Sequence, residues 1–424
     1  MRIIYAVRKG KISMLKKMMA VLLAMAICTG SMAGCSNKKS NKKDKEKNSS
    51  ETTANEDEAA GPEQQEVLPV ASLTVDGEKI DTTDYVMCNI GGIDITFDEF
   101  RFYYFQALSQ YEQFGIDEKA LRDNKETYQQ FLEYVISSIK NELVTDKLAA
   151  DHNIELDDED QKVIDGNVKK SKESYANEEE FEKEIQRSHL TYDVLVKMFV
   201  RAQTYNKVMS ALFEKGGEYA TTEEDFLKLV NDPKEYAHEV HIMVPFYAQV
   251  ELDDSTAATY DDMTLSQKIS AKNSAYNALD ADAKTAAAEK AKTVAEEALQ
   301  RVKDGEDFSK LIEEYGWDIE LDENPGNGYY MRRDNTGGFP KALLDETFSL
   351  EPGQVSDKLV EDGTYGYFIV KRLEPDADYI KENMDKMIAT NDQPKIQEKF
   401  TETMDAMTVT YCSVWDKLTF DSIT

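Results

Sequence analysis

The hydrophobic period of this chain changes twice, at Tyr236 and again near Pro375, and the two changes limit what it can fold into. Before Tyr236 apolar residues keep helical spacing. Phe97, Phe100, Tyr104, Leu108 and Tyr111 form one stripe behind a Thr96/Glu99 capping box, and Tyr128, Phe131, Leu132, Val135, Ile136, Ile139 and Leu143 form a second. Amphipathic segments run from Glu178 to Lys215, and Thr221 with Glu224 caps a short helix toward Val230. Val86–Ile90 and Ile93–Ile95 flank Gly91-Gly92 and read as a hairpin. From Tyr236 the period is two, so Tyr236, His238, Val240, Ile242 and Val244 face one way while His241 and Met243 face the other. An Ala-rich helix from Lys284 to Lys303 follows, then helical Phe308 to Tyr315, glycine loops at Gly326, Gly328, Gly337 and Gly338, a short helix through Leu343, Leu344 and Phe348, a Pro352-Gly353 turn, and a closing strand Tyr365 to Leu373. After Pro375 helix returns through Met407, ending in strand-like Thr408 to Val414. The expected fold class is α+β: a mainly helical, discontinuous domain over 85–235 and 376–424, with an α+β unit inserted at 236–375.

Charge removes one class of function. Lys and Arg number 50 against 82 Asp and Glu, a formal net charge of -32, so nucleic-acid phosphate is repelled and no nucleic-acid partner is expected. Hydrophobic residues make up 41%, enough to fill real cores despite the acidity.

The first residues read as a targeting segment. Arg8, Lys9, Lys11, Lys16 and Lys17 precede an apolar run from Met18 to Cys28, and the small residues Thr29, Gly30, Ser31, Ala33 and Gly34 follow it. The run is short beside the about 20 residues of a spanning helix, so a cleaved secretory signal over 1–34 is expected, with Met14 as good a start as Met1. Met32-Ala33-Gly34-Cys35 resembles the lipobox of bacterial lipoproteins. That resemblance implies acylation of Cys35 and a lipid-anchored protein on the extracytoplasmic face of the cell membrane; the alternative is cleavage near Ala33 with Cys35 a bystander. Lys38, Lys39, Lys42, Lys43, Lys45 and Lys47 would then lie against anionic headgroups or form a solvated linker, and residues 35–84 are expected to be a disordered tether. Of the remaining cysteines, Cys88 and Cys412 make no disulfide framework and no zinc spacing; they read as two buried thiols, or as one bridge between the ends of the mature chain. The Asp157–Asp160 acids sit where a helix starts and read as a cap.

Five motifs in one order carry a family resemblance: His241-Ile242-Met243-Val244; Val302 to Phe308; Tyr315-Gly316-Trp317-Asp318; Phe348-Ser349-Leu350 with Gly353-Gln354-Val355-Ser356; and Tyr365 to Lys371. Together they resemble the parvulin-type peptidyl-prolyl isomerase domain, interrupted by an insertion at about 248–288. Ile90 to Tyr104 is similar to the start of SurA-like chaperones, and with the lipobox the whole resembles PrsA-type foldase lipoproteins. The resemblance implies a pocket with His241 and Asp318 at its floor as catalytic residues, and with Met243, Phe339, Leu343 and Phe368 contacting substrate. It implies unfolded or partly folded exported proteins with X-Pro bonds as partners, allows a homodimer, and needs neither cofactor nor metal.

The departures set further expectations. Where the family has a second histidine this chain has Phe368, so one ring nitrogen of His241 is expected to lack its usual partner, which predicts weak or lost turnover with peptide binding retained; Phe368→His should then raise activity. Asn324-Pro325-Gly326-Asn327-Gly328 replaces a Gly-Gly-Asp-Leu-Gly loop, and Glu251, Asp253, Asp254, Asp261 and Asp262 stand in the insertion where a phosphate-binding branch is basic. A phosphorylated substrate is therefore not expected. By periodicity alone His241 is a satisfied sheet histidine, and only the surrounding motifs give it a site role; His152 and His189 lie in helical stretches and read as structural or exposed. A holdase that uses the parvulin unit as a peptide-binding scaffold is the alternative to an isomerase. A solute-binding lipoprotein would need two lobes with repeated βα patterns, which the helical 85–235 segment does not offer.

Overall fold

The computed structural model describes residues 68–424 apart from 117, 325 and 335–337. The signal segment, Cys35, the lysine run and most of the tether lie outside the described residues, as do Pro325 and Gly337. The chain divides into two compact units: one takes it up to Lys207 and resumes at Met404, the other runs from Val208 to Thr403.

The first unit opens with a hairpin, β1 (Leu73–Val75) and β2 (Glu78–Ile80). The tether expected to extend to residue 84 therefore stops short. Asp76 at φ 53° and Gly77 at φ 82° form the left-handed pair that a two-residue hairpin turn requires, and the fully buried Leu73 bridges to Ile423. A second hairpin, β3 (Val86–Ile90) and β4 (Ile93–Thr96), is joined on its β3 edge by the returning strand Val409–Tyr411. This pairing brings Cys412 to the sheet, where its backbone N–H donates to Met87 O at 2.9 Å, yet Cys88 and Cys412 are both free thiols. Thr96 caps α1 (Phe97–Gln113), which packs on α3 (Lys125–Asp151) through an edge-on Tyr104–Phe131 contact at 5.0 Å, with α2 (Glu118–Asp123) between them in sequence. Asp157 and Asp160 form a capping box on α4 (Asp158–Glu173), and Lys207 reaches both carboxylates. After α5 (Glu178–Arg187), His189 is in a left-handed turn at φ 58° and not within a helix, stacked on Phe105 at 3.7 Å and bonded to Arg101 at 3.0 Å. Helix α6 (Tyr192–Val208) completes the set.

The second unit is built on a four-stranded antiparallel sheet in the order β6 (Tyr329–Arg332), β5 (Tyr236–Pro245), β8 (Gly366–Leu373), β7 (Val360–Asp362). Alternation along β5 sends Val240, Ile242 and Val244 to one face, where the small Ala291, Ala295 and Ala298 let α9 (Ala281–Lys303) approach closely beside α10 (Phe308–Tyr315). The other face, with Ala237, Phe368 and Val370, is covered by Leu343, Leu344 and Phe348 of α12 (Lys341–Ser349). Between β5 and α9 the insertion contributes α8 (Leu265–Asn277), and α11 (Ile319–Glu323) precedes β6. Helix α7 (Glu223–Val230) is capped by Thr222 and not by Thr221; Thr221 instead bonds Asp392, which lies in the long helix α14 (Met384–Ala406). Phe226 and Val230 of α7, Tyr236 of β5 and Ile380 of α13 (Ala377–Glu382) form a shared core. For that reason the compact unit is wider than the 236–375 segment marked by the period changes.

Candidate functional site

The pleat of β5 sets the site. Residues two apart on a strand share a face, so Glu239, His241 and Met243 project together, with Met243 opposite Phe368 and His241 opposite Val370 on β8. The turn into α11 supplies Asp318, whose position is tied to β5 by Trp317 N–H donating to Met243 O at 3.0 Å. Asp318 also caps α11, accepting from Leu321 N at 3.1 Å, and it accepts from the Tyr329 hydroxyl at 2.7 Å. Gly328 makes the approach of β6 feasible: at φ 59°, a Cβ there would lie 2.4 Å from Glu239 O. Next to it His238 bonds the carbonyls of Asn327 and Glu374 at 2.7 and 2.8 Å and stacks on Tyr330, so this second strand histidine pins the loop.

All six sequence-named residues, His241, Asp318, Met243, Phe339, Leu343 and Phe368, line one cavity of about 510 Å³. Cys35 lies outside the described residues. Sequence reasoning missed several other walls: Tyr247, Ile269 of the insertion helix α8, Tyr329 and Tyr365. Tyr247 meets Trp317 edge-on at 5.8 Å, and Tyr329 meets Phe339 edge-on at 5.2 Å, so two aromatic pairs line the cavity. Among the described residues that line it there is no lysine or arginine, and the acids are Asp318 and Glu320. Among the described residues no group of three or more His, Cys, Asp or Glu could hold a metal ion.

The replacement of the usual histidine partner does not leave the ring unpaired. Phe368 does put an apolar ring beside His241, edge-on at 5.4 Å and almost fully buried. His241 nevertheless does not lack a partner. Its Nδ1 lies 3.1 and 3.3 Å from the two carboxylate oxygens of Glu239, which is wholly buried, and its Nε2 is 3.6 Å from Asp318 Oδ2. Tyr329 stacks on the other side of the ring at 5.8 Å. Glu239 was findable: the alternation that places His241 on the pocket face places the acid two residues earlier there too.

The electrostatics follow from this geometry. Burial favours neutral imidazole, but the Glu239 charge and the Asp318 carboxylate outweigh it and push His241 up to about 9. Burial likewise opposes the Asp318 charge, yet the His241 cation and the Tyr329 hydroxyl hold its carboxyl below the usual range. Tyr329 is pushed up by burial and by Asp318. The result is an open pocket with mainly apolar and aromatic walls and one ionised cluster.

Known proteins match parts of this chain. A family profile described as the PPIC-type PPIASE domain matches residues 257–376, a span that includes Asp318, Phe339, Leu343 and Phe368 but begins after β5 and so leaves out His241. Foldase protein PrsA of Oceanobacillus iheyensis is 32% identical over 117 residues, covering 25% of this chain and 37% of that protein. Foldase protein PrsA of Bacillus subtilis is 30% identical over 125 residues, covering 27% and 39%. The chain thus matches well under half the length of these curated relatives. Among solved structures, PrsA from Bacillus anthracis is similar at 17% identity with a TM-score of 0.30, covering 64% of this chain and 96% of that one. A Campylobacter jejuni structure described as one of two SurA-like chaperones is similar at 14% identity with a TM-score of 0.16, covering 81% and 100%. Superpositions this poor carry no weight for the whole molecule. Residues 257–376 match the PPIC-type PPIASE domain, and part of the chain is similar to the PrsA foldases.

Proposed function

We propose that the protein is a membrane-anchored, extracytoplasmic foldase that isomerises X-Pro bonds in unfolded or partly folded exported proteins. The observation that carries this reading is the single cavity lined by His241, Asp318, Met243, Phe339, Leu343 and Phe368. Rotation about an X-Pro bond meets a barrier of about 18–20 kcal/mol from amide resonance and needs no bond to be made or broken. Apolar walls that hold the proline ring and exclude water weaken that resonance, because the planar amide is the more polar state. The ionised floor fixes the orientation of His241 against the bound amide. With acids and no lysine or arginine in the lining, the pocket suits an uncharged or cationic segment and disfavours a phosphorylated one.

A second reading, a holdase that binds proline segments without turning them over, is favoured by Phe368. A protease-free proline-peptide isomerisation assay run beside an aggregation-suppression assay separates the two. The isomerase reading expects acceleration by wild type and loss in His241→Ala; suppression of aggregation without acceleration leaves the holdase. Anchoring belongs to the same proposal through Cys35, which follows the small residues of the signal and opens the lysine-rich segment. Cys35→Ser should release the protein from membranes, and retention with an unchanged lipid label would contradict the anchor. A homodimer is read directly by sedimentation.

A further inference from the structure

We propose that Glu239 is the positioning residue of this site: its carboxylate grips His241 at Nδ1 and turns Nε2 toward Asp318, the office a second histidine would have filled at position 368. This rests on the reading of the cavity as an isomerase pocket. Glu239 has no solvent exposure, and a buried carboxylate is tolerated only where it is paired. Among the described residues both of its oxygens accept from His241 Nδ1, at 3.1 and 3.3 Å. The cross-strand neighbours of Glu239 are Tyr329 and Arg372. Arg372 makes no ion pair with it among the described residues: its terminal nitrogens donate to the carbonyls of Leu350 at 2.6 Å and Pro233 at 2.7 Å, and its Nε has no partner.

The ring has an acceptor at both ends, Glu239 at Nδ1 and Asp318 at Nε2, so neither neutral tautomer satisfies both. The other titratable group against the ring is Tyr329 of β6, whose hydroxyl is already committed to Asp318. On β8 the facing groups are Phe368, which accepts nothing, and Val370. Within this cluster Glu239 is the one carboxylate wholly removed from water, so it holds His241 in a single orientation whatever enters the cavity.

The test is the protonation state of His241, read by nitrogen-15 NMR on the intact chain. In wild type both ring nitrogens should carry protons at about pH 7.5, well above the ordinary histidine range. Glu239→Gln keeps the shape and an acceptor but removes the charge, and should lower the proton affinity of His241 by about tenfold or more. The variant's kcat/KM should acquire a pH dependence across the neutral range that wild type lacks, with peptide KM little changed. A wild-type His241 that is singly protonated at that pH overturns the proposal even if the variant fails to fold. So does a folded Glu239→Gln protein with unchanged titration. Absence of isomerase activity in a wild type whose His241 titrates as expected removes the isomerase reading and leaves the Glu239 pairing standing.

Discussion

With Glu239 at one ring nitrogen and Asp318 near the other, His241 gains its charge by folding, and that sets a pH dependence of stability. Its proton affinity is raised from 6.5 to about 9, so the stabilisation is fully present below pH 6.5 and is lost as pH rises through 9. Thermal melts should therefore fall between those limits in wild type, and Glu239→Gln should flatten the dependence; a flat wild-type profile contradicts the pairing. The same contact changes the expectation for Phe368→His: since Nδ1 is already held, the gain in kcat/KM from that substitution should be smaller than the loss from Glu239→Gln. Gly328→Ala forces a Cβ against the Glu239 carbonyl at a left-handed φ, and should cost about 1–3 kcal/mol and weaken peptide binding, as a denaturation midpoint and a titration will show. The gathering of His241, Asp318, Phe339 and Leu343 in one cavity was legible because their motifs keep a fixed order. Glu239 carries no motif: the strand alternation puts it on the His241 face, but its burial depends on β6 pairing alongside β5 and on α12 covering that face, which a strand pattern does not reveal.

At the scale of elements, strands and long helices read well because their periods are long enough to count. The β5 alternation and the α1 and α3 stripes are examples. The Asp76-Gly77 hairpin was passed over since each strand has only three residues and lies beside a polar segment. The insertion was legible as a gap in the family pattern but not as part of the site; its helix α8 nonetheless places Ile269 in the cavity wall. Ile269→Ser should raise the peptide KM by losing about 1–2 kcal/mol of apolar contact while leaving kcat near wild type, since Ile269 is far in chemistry from the charged floor. A fall in kcat with unchanged KM would place α8 outside the substrate path.

At the scale of the molecule, the discontinuous arrangement came from the two changes of period, and the extent of each unit came only with packing. A fragment of residues 208–403 should melt cooperatively, whereas 236–375 lacks Phe226, Val230 and Ile380 and leaves Tyr236 uncovered, so it should be the less stable of the two by calorimetry. Whether the cavity on the β5 face turns over X-Pro bonds can be read by following cis-trans exchange of a proline peptide by NMR without a coupled protease. The intact chain should accelerate exchange and His241→Ala should largely abolish that acceleration; exchange at the uncatalysed rate with wild type, or an equal rate in His241→Ala, rules out turnover in this cavity.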